Sequence, residues 1–407
     1  LSLLGFPKRV FCFRKPEHIM QILTHKSIGG IKFLPMMPRV KWLMRGGAYV
    51  LQGGEDWSMR RRIVQPAFSV EAAAHQLGPI VDIVESRIAN WPTRADSAQT
   101  IDIYREMREL IVDLSFKIFF SSDMGDRVSE IAERTLYLEK CFVKVSPLWL
   151  PLPGNAEFKR ETELLRDTMA AIIEERKRAK GSQRDLITLL LEGDKNGGGL
   201  SDDDIIDELM SIYFGISVIA ITLTWGLSLI ATQPEVKAKL RAEAQAFLSG
   251  GRETRVRRGL GLSYTTMVFN EITRLYPPSW GFPRHALEQV VIDGQNIPAD
   301  SIVIPMIYHV QRDAKIWPNP LHFDPERFAP ERANGIHLFA HFPFGGGQRK
   351  CTGANIAPTI AQLVLLTILA RYDLESAPRF PGDPVAEFGF EICPKDKVMM
   401  RLHQLSS

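Results

Sequence analysis

Phe344-Gly-Gly-Gly-Gln-Arg-Lys-Cys-Thr-Gly353 sets a lone cysteine, Cys351, between a run of glycines and an apolar stretch from about Ala354 to Tyr372. That stretch reads as a helix, apolar on every side and so destined for a core. A thiol at the mouth of such a helix, beside Arg349 and Lys350, sits where positive charge favours the thiolate. Glycines let a flat group approach the backbone and leave amides open towards the sulfur. A thiolate so placed suits haem iron, onto which it pushes electron density. Taken alone, a cysteine in a glycine turn would also fit a buried structural role.

The other cysteines, Cys12, Cys141 and Cys393, lie far from Cys351 and from each other, with no C-x-x-C pair and no histidine at zinc-ligand spacing. A disulfide framework and a zinc site are therefore excluded as expectations. The chain has 407 residues, 45% hydrophobic and 24% charged, with 22 Phe and 7 Trp to fill a large interior. A net charge of +3 gives no field that would gather nucleic acid. The one dense basic run, Arg252 to Arg258, reads as a solvated loop. Length alone permits two or three domains, but there is no repeat, and the only linker-like patch, Asn196 to Gly199, is too short to separate folding units. One domain over residues 1–407 is expected.

Upstream of the cysteine, helical spacing dominates. Pro16 to His25, Leu77 to Trp91, Ile101 to Phe120, Glu157 to Lys180, Asp185 to Glu192, Pro234 to about Leu248 and Thr266 to Leu275 all carry apolar residues at three and four spacing. From Leu209 to Pro234 no side chain is charged, a length that could span a bilayer. Six serines and threonines run through it and no second such segment accompanies it, which favours a buried central helix, capped by Ser201-Asp-Asp-Asp204. β-Branched runs between Val290 and Tyr308, punctuated by Asp-Gly and proline, predict a small sheet. The expected fold class is mainly α with a minor β region.

Two further groups stand out. Glu271-Ile-Thr-Arg274 places an acid and a base on one helical face, near enough to pair. Trp57 and Arg61 lie four apart after Asp56, and Arg284 and Arg349 add further guanidinium groups.

The segment Phe344 to Gly353 matches position by position the cysteine-ligand signature F-x-x-G-x-R-x-C-x-G, and on it the chain resembles the cytochrome P450 family. Glu271 and Arg274, followed by Leu275-Tyr-Pro-Pro278, are similar to the family's E-x-x-R motif, and Trp57 to Arg61 to its W-x-x-x-R. The resemblance extends along nearly the whole chain, through Trp317-Pro-Asn-Pro320 and Phe323-Asp-Pro-Glu-Arg-Phe328. It implies the P450 fold, haem b held by Cys351 with Phe344 and Gly353 in the ligand loop, and Glu271, Arg274 and Arg327 as structural partners. It also implies that Trp57, Arg61, Arg284 and Arg349 meet the haem propionates. Phe214, Ser217, Val218, Ser279, Trp280 and Phe282 would wall the substrate pocket, with Leu148 to Pro153 near its entrance.

The sequence departs from the family in the central helix. Where the family commonly reads A-G-x-[DE]-T, this chain reads Phe214-Gly-Ile-Ser-Val218. Gly215 keeps the position against which oxygen or substrate rests, Ser217 stands in place of the acid, and Val218 in place of the alcohol. Valine cannot donate a hydrogen bond or hold a water, so proton delivery for dioxygen cleavage must come from Ser217 or from a polar group of the substrate. Thr222, a turn further on, is expected to bond back to its own helix.

Three readings follow. The leading one is dioxygen-dependent monooxygenation of a hydrophobic small molecule, with electrons from a separate ferredoxin or flavodoxin and its reductase arriving near Arg349 and Lys350. The second is haem-thiolate chemistry without dioxygen activation: peroxide use, dehydration, isomerisation, or transfer of nitrogen or oxygen from the substrate. The third is a haem sensor or carrier. A soluble, cytoplasmic monomer without an integral membrane segment or nucleic-acid partner is expected. Because the sequence starts at Leu1, an upstream anchor or targeting segment stays open.

Overall fold

A computed structural model describes residues 9–29, 38–45, 47–91, 100–144, 146–179, 185–194, 199–249, 263–377 and 384–405. The basic run 252–258 and most of the glycine patch 196–199 lie outside the described residues. Helices carry the fold: α1 Pro16–Thr24, α2 Gly54–Val64, α3 Val70–Ile88, α4 Ile103–Phe119, α5 Val128–Cys141, α6 Pro153–Arg178, α7 Asp202–Ala231, α8 Pro234–Leu248, α9 Ser263–Leu275 and α10 Ile356–Arg371. The short helix Leu186–Glu192 starts from Asp185, whose side chain accepts from the Thr188 amide.

The uncharged run lies in α7, and 78% of the most apolar window of that helix is buried inside the protein. It lies against α4, α6, α9 and α10, so protein covers most of its apolar surface. Its start is fixed by a capping box, in which Ser201 Oγ accepts from the Asp204 amide at 3.2 Å and the Asp204 carboxylate accepts from the Ser201 amide at 3.1 Å. Three of its hydroxyls bond within the helix: Thr224 donates to Ala220 O at 2.7 Å, Ser228 to Thr224 O at 2.9 Å and Thr222 to Val218 O at 3.4 Å. Polar side chains can therefore sit in this core without a desolvation penalty.

Some boundaries move. α3 begins at Val70, ahead of Leu77, because Ser69 caps it by accepting from the Ala72 amide at 3.1 Å; Ala72 to Ala74 give too little hydrophobic contrast to announce that turn. Ile101 belongs to a strand, β2 Thr100–Asp102, and Asp102 then caps α4. α5 has no capping side chain and mixes charge with apolar residues, so its sequence gives no start signal.

The sheet expected between Val290 and Tyr308 is divided between two. β4 Val290–Ile292 and β5 Gln295–Ile297 form a hairpin through Asp293 and Gly294, both at positive φ (48° and 76°). β6 Ile302–Pro305 instead pairs in parallel with β1 Val10–Phe13 and antiparallel with β3 Arg284–His285. A contiguous stretch of sequence could not reveal pairing with a strand near the N-terminus. Elsewhere β10 Met399–Gln404 lies between β2 and β7 Tyr372–Ser376, and β8 Ala386–Phe388 pairs with β9 Ile392–Pro394.

The E-x-x-R pair is wholly buried. Arg274 donates to both oxygens of Glu271, at 2.6 and 2.7 Å, while Arg327 Nε reaches Oε1 at 3.3 Å. Arg274 also donates to Gln311 O and Pro320 O, each at 2.7 Å, tying α9 to the irregular segment that follows β6.

Next to this network, His341 Nε2 lies 3.1 Å from Thr273 Oγ1. Burial, then the Arg274 charge, pushes its pKa down to about 3. The unfolded chain takes up a proton near the usual histidine value of about 6.5, which the folded chain refuses. Stability from this group is therefore full above that value and is lost as pH falls towards 3. Glu208 works in the opposite sense: burial raises its carboxyl to about 7, so its contribution declines as pH rises. The His341 contribution is thus read as a difference. Between pH 7 and pH 5, wild type should lose roughly 1–2 kcal/mol more than His341→Gln in chemical unfolding. Equal losses in both proteins would contradict this account.

Candidate active site

The segment Phe344 to Gly353 descends to α10 through two tight turns, Gly347–Arg349 and Thr352–Ala354. The Cys351 amide donates to Phe344 O at 2.9 Å, which closes the loop and leaves the Cys351 side exposed. Gly347 has φ +64°, and a Cβ there would stand 1.9 Å from Leu23 O in α1. Only glycine fits both demands. At Gly345 a Cβ would meet the Phe282 ring at 3.2 Å, so Phe282 packs upon the cysteine loop. Phe344 stacks on Phe269 of α9 at 6.4 Å between centroids, and the Gly353 Cβ position is 3.8 Å from Cys351 Sγ.

Guanidinium groups gather round this loop. Arg349 is buried, lies 4.2 Å over the Trp57 ring and donates to Gln52 O at 2.7 Å. Arg61 donates to Gln65 Oε1 at 2.8 Å and to Lys350 O at 2.9 Å. Arg284 is 3% exposed, yet among the described residues its hydrogen bond goes to the neighbouring Pro283 carbonyl, at 3.1 Å, with the Phe282 ring centroid 5.7 Å from the guanidinium. Its Nε has no hydrogen-bond partner, and no carboxylate pairs with it among the described residues. Burial, then Arg349, lowers its pKa to about 10; burial also lowers Arg349 to about 10, with Tyr49 opposing and Arg61 assisting. Cations held under this strain accommodate anions well. A flat cofactor with two carboxylates, such as haem b, fits this donor set beside a thiol.

On α7, Gly215 is exposed and no atom lies within 4 Å of where its Cβ would stand, while Val218, three residues on, shares its face and is half-buried. Phe214 packs on Phe142 at 5.3 Å. Ser217 is turned away from Gly215 into the interior. Its Oγ is 2.7 Å from Glu139 Oε1 and 2.8 Å from Phe214 O, and Glu139 in turn meets Arg108 Nη2 at 2.8 Å. The residues grouped by sequence thus divide between two faces of one helix. Glu139 and Arg108 escaped the sequence reading, because no spacing motif joins α4, α5 and α7. Ser279 donates to Gly281 O at 2.8 Å and Trp280 Nε1 to Gly389 O at 3.1 Å, which docks this segment against the β8–β9 hairpin.

A mainly helical protein with a glycine-shaped thiol loop amid buried guanidinium groups defines a haem-thiolate enzyme. A family model described as Cytochrome P450 matches residues 2–395, and the chain belongs to that family. It is 31% identical over 386 residues to cyclooctatin synthase of Streptomyces melanosporofaciens, covering 91% of this chain and 82% of that protein. Against pentalenene oxygenase of Streptomyces avermitilis it is 27% identical over 382 residues, covering 91% and 83%. The solved structure described as retinoic acid bound cyanobacterial CYP120A1 superposes with a TM-score of 0.87 at 24% identity, covering 98% of this chain and 90% of the other. The protein is accordingly a haem-dependent oxidoreductase with the P450 fold.

Proposed function

We propose that this enzyme is a dioxygen-dependent monooxygenase acting on a terpenoid-like apolar molecule, with Cys351 as the axial ligand of haem b and electrons from a separate ferredoxin or flavodoxin. The observation that carries the cofactor geometry is Arg284, a buried guanidinium with no carboxylate partner among the described residues beside the Cys351 loop. Arg284, Arg349 and Arg61 would hold the propionates, and Trp57 orients Arg349 by stacking. Haem bound there supplies a redox-active iron. Phe344 and Gly353 shape the ligand loop, which Phe282 backs at Gly345, Gly215 leaves open space on α7, and Phe214, Val218, Ser279 and Trp280 exclude water around an apolar substrate. Trp149, 79% exposed in Leu148 to Pro153, marks the rim of the entrance. The relatives named for pentalenene and cyclooctatin support a terpenoid substrate.

A second reading rests on Val218, which presents no donor at the position beside Gly215: chemistry that does not activate dioxygen. The two are separated by turnover of a terpene panel under isotopically labelled dioxygen, with NADPH, ferredoxin and reductase, against hydrogen peroxide alone. Label in the product only with the electron donors supports the first reading. Product formed without dioxygen or NADPH supports the second.

A further inference from the structure

Ser217 occupies the helix position at which an acid was expected, and a carboxyl meets it from another helix. Glu139 of α5 is 6% exposed, with one oxygen 2.7 Å from Ser217 Oγ and the other 2.8 Å from Arg108 Nη2 of α4. The Ser217 hydroxyl has one proton and two acceptors within reach, Glu139 and Phe214 O. With Glu139 ionised, Ser217 donates to it. With Glu139 protonated, Glu139 donates to Ser217, whose own proton turns to Phe214 O or to a water. The same heavy-atom positions satisfy both states.

The surroundings supply the rest of a relay. Arg108 Nε and Nη1 are buried without partners. Together with Thr135, Tyr213 and Ser217, and with the apolar Ile111, Val112 and Ala220, Arg108 lines a small cavity beside Ser217. The groups facing Glu139 are Arg108 and Tyr104 on α4, Tyr213 and Ser217 on α7, and Glu391 and Cys393 on the β8–β9 hairpin. Glu391 is pushed well above the usual carboxylate range by burial, then by Glu139, against the pull of Arg108. One guanidinium cannot neutralise two carboxylates, so a proton stays within this group.

We propose that Glu139 is the acid of the distal proton relay, acting through Ser217 in place of the carboxyl that the central helix lacks. The proposal rests on the dioxygen-dependent reading above. Glu139 gives its proton to Ser217 Oγ, and the Ser217 proton, which already reaches Phe214 O, passes round that carbonyl to a water on the Gly215 side of the helix. The Glu139 carboxylate, held by Arg108, is then reprotonated from solvent by way of Glu391. One proton enters, one leaves, and no electron moves along this path; the electrons come from the ferredoxin or flavodoxin. Glu139 is a positioning and relay residue.

The test compares haem-loaded wild type with Glu139→Gln, which keeps the shape and both hydrogen-bonding contacts, Glu139→Asp, which keeps the acid, and Ser217→Ala. Infrared titration should show the buried Glu391 carboxyl band, altered in Glu139→Gln and unaltered in Glu139→Asp. In turnover with the terpene that wild type oxidises, Glu139→Gln should form product roughly ten-fold more slowly, divert electrons to peroxide and lose the wild-type pH dependence. Ser217→Ala should show the same diversion with the carboxyl band retained. Wild-type coupling, pH profile and infrared titration in a well-loaded Glu139→Gln would overturn the relay alone. A wild type with an intact haem-thiolate spectrum that consumes no dioxygen would overturn both the relay and the reading it rests on.

Discussion

Replacing Glu271 with alanine is expected to remove a large share of the stability of the haem-loaded protein. The Glu271 carboxylate is 0% exposed and accepts from Arg274, Arg327 and, at 2.9 Å, the Asp324 amide. Without it, Arg274 at 0% exposure and Arg327 at 5% would be left as buried charges with no counter-ion in the network. Breaking a buried pair from one side costs about 3–5 kcal/mol, a large share of the 5–15 kcal/mol that holds a typical domain together. The loss propagates, because Arg274 holds the carbonyls of Gln311 and Pro320 and Arg327 holds those of Pro318 and Asn319. Chemical unfolding should show a midpoint shift to match, with Glu271→Gln less affected than Glu271→Ala. An unchanged midpoint in Glu271→Ala would mean that the two arginines find other partners.

Gly347→Val should strike cofactor binding. A Cβ at this position would lie 1.9 Å from a backbone oxygen, Leu23 O, and the backbone is held at φ +64°. A β-branched residue is strongly disfavoured there, and the strain alone costs about 1–3 kcal/mol. Relief requires the loop to move away from α1, carrying Arg349 and Cys351 with it. The haem-to-protein absorbance ratio should fall sharply while far-ultraviolet dichroism changes little. Gly335→Ala is the control: its φ is +93°, but nothing lies within 4 Å of the added Cβ. It should lose a little stability and keep its haem. Equal haem loading in both variants would show that the close approach to Leu23 is not what shapes the loop.

Much of this architecture is legible in the sequence because its signals are local. Ser201 and Asp204 announce the start of α7, Pro234 that of α8, and the glycines before Cys351 a turn that no other residue could make. The partnership of Glu271 and Arg274 follows from helical spacing alone. What is not legible depends on residues far apart in the chain. β6 pairs with β1 from the far side of most of the helices, and Arg284 acquires its meaning only when Arg349 comes beside it. The central helix is the sharpest case. Ser217 and Val218 read as two losses side by side, whereas folding sends Ser217 inward to Glu139, 78 residues away in sequence, and leaves Val218 on the face of Gly215. A one-dimensional motif records which residues neighbour each other on the chain, and a carboxyl supplied by another helix is invisible to it.

The most direct test of the central claim is the optical spectrum of the haem-loaded, dithionite-reduced protein under carbon monoxide, recorded for wild type and Cys351→His. Thiolate ligation by Cys351 predicts a strongly red-shifted Soret band in wild type that is absent from the variant. An unshifted band in undamaged wild type, or a shifted band that survives in Cys351→His, would contradict it.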